Sequence, residues 1–201
     1  MVRLIRTAVV DDHPAMRAGL AAVLSNAADI VPAGEAASGA ELWSLIERTA
    51  PDVILMDWHL PGEDGLVLCH RVKRHRSDIR VVLFSAYADD WLVGPALLAQ
   101  ADALLAKRAP AAVVYETVRS VAERKGPPVV DVTQEQRHAL IGALDPEDVG
   151  IAGMLLLGTP LPEIARSCGL STSQLGERVE GMLSAVSAAH GPAVTYDQGS
   201  G

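Results

Sequence analysis

Residues 53–57 read Val53-Ile54-Leu55-Met56-Asp57, four apolar residues that end in an acid. A continuous apolar run of this kind, with no alternation of polar side chains, is typical of a strand buried on both faces of a parallel sheet. Sites in such sheets form at the carboxyl ends of the strands. The segment therefore predicts a central parallel strand that delivers Asp57 to the edge where a site would form.

The residues on both sides of this run, up to residue 124, alternate short β-rich runs with amphipathic helical stretches. The further predicted strands are Thr7–Val10, a weak one around Ile30–Glu35, Arg80–Phe84 and Ala103–Ala106. Five βα units in series predict an α/β fold with a doubly wound, five-stranded parallel sheet. Because proline breaks an interior helical turn, Gly94-Pro95 predicts a fourth helix that is short or begins at Pro95.

Polar side chains follow the predicted strands at their carboxyl ends. Asp11 and Asp12 come after the first strand, and Asp57 ends the third. Since these strands are neighbours in such a sheet, the three carboxylates are expected to converge, and hard oxygen ligands suit Mg²⁺. Ser85 ends the fourth strand and Lys107 follows the fifth, so a hydroxyl and a cation would close the same edge.

Taken together, these residues resemble the receiver family of two-component response regulators, which has the CheY-like, flavodoxin-like fold. The motifs that carry the resemblance are Asp11-Asp12, Asp57-x-x-Leu60-Pro61-Gly62-x-Asp64-Gly65, Ser85-Ala86 and Lys107. The resemblance covers residues 4–124 and implies that Asp57 accepts a phosphoryl group from a histidine kinase. It also implies that the chain is no enzyme beyond its own phosphorylation and dephosphorylation.

The resemblance assigns a role to each residue of this edge. The implied Mg²⁺ ligands are Asp12, Asp57 and the backbone carbonyl of His59, with Asp11 acting through water. Lys107 and the hydroxyl of Ser85 would stabilise the phosphoryl oxygens. Other interpretations stay open: the paired acids could cap the following helix, Lys107 could be a solvated surface charge, and Asp57 could be a relic that is never phosphorylated.

Two further features bear on how a signal would leave this edge. Three residues before the lysine, where the family carries an inward-turning Tyr or Phe, this chain has Leu104. We therefore expect coupling to the output that is weaker or that uses other contacts. The basic cluster Arg71–Arg76 ends the third helix, where cations interact favourably with the helix dipole, and it is expected to be solvated.

The remaining residues indicate a second, smaller all-α domain. Lys125-Gly126-Pro127-Pro128 breaks the alternation and starts a linker with a helical segment, residues 125–143. The expected helices then run from Leu144 to Gly158, from Pro162 to Cys168, and from Thr172 to about Ala188 with Ser171 as N-cap. Residues 144–189 resemble the helix-turn-helix output domain of LuxR/NarL-type regulators, and residues 190–201 are expected to be a flexible tail.

The last helix departs from the chemistry of that output family. Where the family reads Thr-Val-Lys-x-His, this chain reads Gln174-Leu175-Gly176-Glu177-Arg178. The candidate DNA contacts that the resemblance implies are Ser171, Thr172, Gln174 and Arg178. Residues 144–186 hold only two cations, Arg166 and Arg178, against six acids, so counterion release would contribute little affinity for DNA. Two outputs stay open: transcription control through DNA, as a homodimer or with a partner, and regulation through protein contacts alone.

Composition sets the class of protein in which these sites lie. The net charge is −8, and residues 126–201 hold 3 Lys/Arg against 9 Asp/Glu. The longest apolar run, Val149–Leu157, is about half the roughly 20 residues that a membrane span needs, and the apolar part of the N-terminus is too short for a signal peptide. Cys69 and Cys168 lie far apart without metal-ligand spacing. We expect a reduced, cytoplasmic protein without a membrane partner.

Overall fold

The computed structural model describes residues 3–86, 90–123 and 133–190. The strands in chain order are β1 (Ile5–Val10), β2 (Ile30–Ala36), β3 (Val53–Asp57), β4 (His59–Leu60), β5 (Glu63–Asp64), β6 (Arg80–Ser85) and β7 (Ala103–Ala106). Within the described ranges, five of them form one sheet in the order β2-β1-β3-β6-β7, and β4 pairs with β5 in a separate antiparallel hairpin. The predicted five-stranded parallel sheet is confirmed.

The register of the sheet places the ends of its strands side by side. All residues of β3 are buried, as its apolar run predicts, and Met56 lies opposite Val10 of β1. On the other side of β3, Asp57 lies opposite Phe84 of β6. The residues that follow each strand therefore leave the sheet at one common edge.

Helices cover both faces of the sheet. They are α1 (Pro14–Ser25), α2 (Gly39–Thr49), α3 (Gly65–His75), α4 (Asp90–Leu98) and α5 (Ala111–Glu123). Alternate strand residues point to opposite faces, so Val9 and Leu55 pack with α1 and α5, while Ala8 and Ile54 pack with α2, α3 and α4. Both apolar layers are buried, which confirms the doubly wound arrangement.

The fourth helix is short, with nine residues, as one of the two predicted outcomes has it. The other outcome is wrong, because the helix begins at Asp90, not at Pro95, and contains Pro95 in its interior. Gly94 helps the helix to accommodate Pro95, because the ring of a proline clashes with the Cβ of the preceding residue and glycine has no Cβ. A Cβ at Gly94 would also lie 3.1 Å from Cδ2 of Leu140, so this turn of the helix packs closely against the C-terminal part of the chain.

The C-terminal part is all helical in its described residues, as predicted. Its helices are α6 (Gln134–Gly142), α7 (Val149–Leu156), α8 (Leu161–Cys168) and α9 (Thr172–His190). The helix expected from Leu144 begins only at Val149, because the backbone turns before it, with the amide of Asp148 donating to the carbonyl of Asp145 at 2.8 Å. Part of the expected linker (residues 124–132) and of the expected tail (residues 191–201) lies outside the described residues.

These helices lie against the receiver-like sheet on its α3–α4 side. Leu140 of α6 and Leu175, Val179 and Met182 of α9 belong to the same apolar cluster as Leu66 and Val72 of α3. The contact is continuous with the core beneath α3 and α4, so the C-terminal helices share buried surface with the sheet layer. In the part of the chain that the structure describes, no helix is long and apolar enough to cross a membrane.

Candidate functional site

Three strand ends bring the predicted polar residues together at one edge of the sheet. Asp11 directly follows β1, Asp57 ends β3, and Lys107 follows β7. Asp11 and Asp57 are almost fully buried, with 1% and 4% of their surface exposed. Two buried acids this close together need a cation, because an uncompensated buried carboxylate carries a large desolvation cost.

Lys107 supplies that cation. Its Nζ lies 2.6 Å from Oδ2 of Asp11 and 2.6 Å from Oδ2 of Asp57. The backbone amide of Lys107 donates to the carbonyl of Ser85 at 2.7 Å, which fixes where the long side chain starts. Burial alone would lower the pKa of the Lys107 ammonium, but its hydrogen bonds to the two carboxylates raise it, so the side chain stays charged. The alternative of a solvated surface lysine is wrong.

The carboxyl group of Asp57 is held from two directions. Burial raises the pKa of Asp57, while the hydrogen bond from Lys107 acts to lower it. The backbone amide of His59 donates to Oδ1 of Asp57 at 3.2 Å. The backbone of His59 therefore lies beside Asp57, in the position from which its carbonyl is expected to act.

The loop after Asp57 is held close to it by a glycine. The amide of Gly65 donates to the carbonyl of Trp58 at 2.8 Å, and α3 starts at this glycine. A Cβ at Gly65 would lie 2.3 Å from the backbone oxygen of Asp57, so no other residue fits without moving the backbone. Asp64 caps the same helix by accepting from the amide of Leu66 at 2.7 Å.

The first two acids have different surroundings. Oδ1 of Asp11 accepts from the backbone amide of His13 at 2.8 Å, so Asp11 is fully engaged in protein contacts. Oδ1 of Asp12 is buried and, among the described residues, accepts no hydrogen bond, although Nδ1 of His13 lies 2.7 Å away. Asp12 thus offers a buried oxygen atom whose polar neighbour is Nδ1 of His13, and a carboxylate oxygen of this kind is a ligand that suits Mg²⁺.

The donor set fits a divalent cation. Ligand atoms of Asp11, Asp12, His13 and Asp57 all lie within 4.8 Å of one another. Carboxylate oxygens dominate this set, and hard oxygen ligands suit Mg²⁺. His13 was not predicted as part of the site. It is the N-cap of α1, makes no side-chain capping bond, and has its ring near both acids. Its position directly after two acids was the one available signal.

The remaining receiver residues lie where the sequence predicted them. Ser85 is fully buried at the end of β6, one residue beyond the partner of Asp57 in the sheet. Leu104 of β7, at the position of the family's aromatic residue, pairs with Leu83 of β6 and packs partly buried against the core on the α4 side. Leucine has no polar group, so Leu104 cannot form a hydrogen bond with the residues at the carboxyl edge of the sheet.

The candidate DNA contacts are not brought to this edge, and several of them already have partners. The hydroxyl of Ser171 accepts from the amide of Gln174 at 3.1 Å, and the side chain of Gln174 accepts from the amide of Ser171 at 2.9 Å, a reciprocal cap of α9. Arg178 pairs with Asp148 and, at 3.2 Å, with Glu147. Ser171, Thr172 and Gln174 are exposed. The N-cap role predicted for Ser171 is confirmed.

One side of α9 faces α3 of the sheet layer. Nε and Nη2 of Arg71 lie 3.0 and 2.8 Å from Oε2 of Glu180, and Nη1 of Arg74 lies 3.4 Å from Oε1. The expectation that the basic cluster is simply solvated is wrong for these two arginines and for Lys73, whose Nζ lies 2.8 Å from Oδ2 of the buried Asp102. The guanidinium of Arg74 also fills the space beside Gly176, where a Cβ would lie 2.0 Å from Nη1.

Comparison with known proteins agrees with this geometry. The profile of the family described as response regulator receiver domain matches residues 7–119, more than half of the chain. The transcriptional activator protein ExaE of Pseudomonas putida is 34% identical over 173 residues, which are 81% of each chain.

Two solved structures extend the comparison. The signal receiver domain of a NarL response regulator from Mycobacterium tuberculosis is 32% identical, with a TM-score of 0.58 over 61% of this chain and 99% of that one. The RcsB response regulator of Salmonella typhimurium is 16% identical with a TM-score of 0.58, and the match covers 92% of this chain and 93% of that one, which supports the fold alone. The chain therefore belongs to the response regulators of the LuxR/NarL type, and its N-terminal sheet is a receiver domain.

Proposed function

We propose that this response regulator accepts a phosphoryl group on Asp57 from the phosphohistidine of a histidine kinase and thereby regulates transcription. The observation that carries the proposal is Lys107, held 2.6 Å from the carboxylates of both Asp11 and Asp57 in a buried pocket. A structural ion pair would need one acid for one lysine, whereas here three acids, with His13 beside two of them, face one lysine, and this excess of carboxylate oxygens suits a metal ion.

In the proposed reaction, an oxygen of Asp57 attacks phosphorus, the P–N bond of the phosphohistidine breaks, and an acyl phosphate remains on Asp57. Lys107 loses its contact with the carboxylate and donates instead to a phosphoryl oxygen. Ser85 offers its hydroxyl from the neighbouring strand end. A Mg²⁺ ion held by Asp12, Asp57 and the carbonyl of His59 would supply the remaining neutralisation of the phosphoryl oxygens. The chain would catalyse nothing beyond this transfer and the hydrolysis that ends it.

Incubation with acetyl phosphate and Mg²⁺, followed by mass spectrometry of the intact chain, tests this step. We expect the wild type to gain the mass of one phosphoryl group and Asp57→Asn to gain none. Omission of Mg²⁺ with chelator present serves as the matched control and should abolish the gain in the wild type. A gain of equal size in Asp57→Asn would place the acceptor elsewhere and contradict the proposal.

The proposed output is DNA binding by the C-terminal helices, with Ser171, Thr172, Gln174 and Arg178 as the contacting residues. The support is the similarity over most of the chain to a relative that is named a transcriptional activator. Before Arg178 could reach a phosphate or a base, it would have to leave Asp148 and Glu147. Homodimerisation would double the few cations that the helices offer.

A second candidate output is favoured by the α3–α9 contact. Gly176 stands at the position of the family's lysine, and Arg74 of the receiver occupies the space that a side chain there would need. Glu180, one turn later, pairs with Arg71 and Arg74. On this account α9 binds a protein surface, which in this structure is the receiver of the same chain. The regulator would then act through protein contacts.

Gel-shift titration with genomic DNA fragments at several salt concentrations separates the two outputs. The titration is run in two parallel sets, one with and one without acetyl phosphate. If the chain binds DNA, a complex should form at low salt and weaken steeply as the salt concentration rises. Arg178→Gln should weaken that complex, whereas Arg166→Gln on the exposed side of α8 serves as the matched control for loss of one charge. Absence of any complex at low salt in both sets would leave only the protein-contact output.

A further inference from the structure

His70 lies inside the contact between α3 and α9. Its side chain is fully buried, with 0% of its surface exposed. It precedes Arg74 by four residues and therefore shares a helix face with it. Because Arg74 lies against Gly176 of α9, this face of α3 is the one that α9 covers.

The imidazole of His70 has no polar partner in this position. Among the described residues, neither Nδ1 nor Nε2 accepts or donates a hydrogen bond. The charged groups around the ring are Arg71 and Arg74 on its own helix and Glu180 on α9, and Glu63 of β5 pairs with Arg71. Residues 91–98 of α4, which also packs on α3, include no titratable side chain.

Protonation of His70 would be unfavourable while α9 is docked. The single acid near the ring, Glu180, is already shared by two arginines, so an imidazolium would be a third cation around one carboxylate. It would also be desolvated without an acceptor for either N–H group, which is costly in a buried site. The ring must therefore be neutral while α9 is docked.

We propose that the docking of α9 on α3 is proton-sensitive, so that mild acid protonates His70 and releases α9 from the receiver. The inference goes beyond the proposed function, since it requires neither phosphorylation of Asp57 nor binding of DNA. It makes the output helix responsive to a second input, the pH of the surroundings.

The direction and size of the effect follow from linkage. Burial lowers the pKa of His70 from 6.5 to about 4, and Arg74 acts in the same direction. In the released state the exposed ring returns to its ordinary value near 6.5, so between pH 6.5 and about 4 the released state binds more protons. Docking is therefore fully favoured above pH 6.5 and weakens as the pH falls. Between pH 7.5 and 5.5 the ratio of released to docked molecules should rise about tenfold.

Fluorescence energy transfer in the full chain measures this ratio at a urea concentration, below the unfolding transition, at which a measurable fraction of the molecules is already released at pH 7.5. One dye is attached to Cys168, which is exposed on α8, and the other to a cysteine introduced by Glu47→Cys on the exposed face of α2. Cys69 stays unlabelled, because it is buried and burial raises the pKa of its thiol. We expect transfer to fall between pH 7.5 and 5.5 at constant salt, while circular dichroism remains native.

Substitutions of His70 and a matched control variant decide whether His70 is responsible for the fall in transfer. His70→Leu fills the site without a titratable group, so transfer should stay at its pH 7.5 level, and His70→Met replaces it if the leucine variant does not fold. His75→Leu, an exposed histidine on the same helix, should keep the wild-type response. Constant transfer in the wild type, an undiminished response in His70→Leu, or loss of native circular dichroism together with transfer would each overturn the proposal.

Discussion

The carboxyl edge of the sheet and the receiver-facing side of α9 both bring acids and cations together, yet they do so with opposite consequences. At the edge, one lysine serves two buried acids, and the third acid, Asp12, has only the exposed His13 beside its Oδ1 among the described residues. On α9, two arginines converge on the single acid Glu180, and Arg178 is engaged by Asp148 and Glu147. The edge holds more acids than lysines, an excess that suits an incoming cation, whereas Glu180 and Arg178 of α9 are paired inside the chain.

This difference separates the acceptance of a signal from its delivery. The receiver pocket has the residues that a phosphoryl group and a divalent cation would require. Helix α9 carries Gly176 where the resemblance to the output family places a lysine, and Arg74 of the receiver lies against this glycine. The residues of the pocket thus match the receiver family, whereas the helix that resembles the output helix of the family lies against the receiver of its own chain.

The largest effect is expected from removing the cation of the pocket. Lys107→Met leaves Asp11 and Asp57 buried without a partner, and breaking a buried ion pair in this way should cost about 3 kcal/mol of unfolding free energy. Urea denaturation at neutral pH with chelator present measures the loss. Arg108→Met, the exposed neighbour, is the matched control and should change stability by no more than about 0.5 kcal/mol. Equal effects of the two variants would mean that Lys107 is a solvated charge after all.

A smaller effect is expected at the loop that holds the acceptor. In Gly65→Ala the new Cβ meets the backbone of Asp57 and Trp58, which cannot move aside as a flexible side chain can. We expect a loss of about 2 kcal/mol in unfolding free energy, together with slower phosphorylation by acetyl phosphate. Gly150→Ala, exposed in α7 with open space around it, should instead gain roughly 0.5–1 kcal/mol. A neutral Gly65→Ala would show that the loop is not held as closely as described.

The smallest effect on stability is expected from alanine substitutions at two glycines of α9. Gly181→Ala adds a methyl group at an open, exposed position and should stabilise the helix by about 1 kcal/mol. Gly176→Ala should lack that gain, because its Cβ displaces the guanidinium of Arg74 and weakens the docking. Thermal unfolding of the two variants side by side measures the difference. If both alanines stabilise equally, α9 is not closely docked on α3.

The sequence predicted the pocket because its logic is local to strand ends. Each of Asp11, Asp57 and Lys107 follows an apolar run, and parallel strands deliver their ends to one edge whatever the details of packing. Leu104 could likewise be placed by its spacing from the lysine. His13 was missed because its ring approaches the acids from an N-cap position that no spacing rule marks.

The docking of α9 could not be predicted in the same way. Arg71 and Glu180 are 109 residues apart in sequence, and no periodicity links a helix end in the receiver to a helix in the output region. The basic cluster therefore looked like an ordinary dipole-paired helix end. The close contact between Gly94 of α4 and Leu140 of α6 is another contact across the two regions that no sequence pattern marks.

Location of the modified residue tests the central claim most directly. The chain is incubated with acetyl phosphate and Mg²⁺ and treated with borohydride, which reduces an aspartyl phosphate to homoserine, and its peptides are then sequenced by mass spectrometry. The account predicts homoserine at position 57 and at no other acid of the pocket. Homoserine at position 11 or 12, or none anywhere despite a mass gain in the intact chain, would contradict the assignment of Asp57 as the phosphoacceptor.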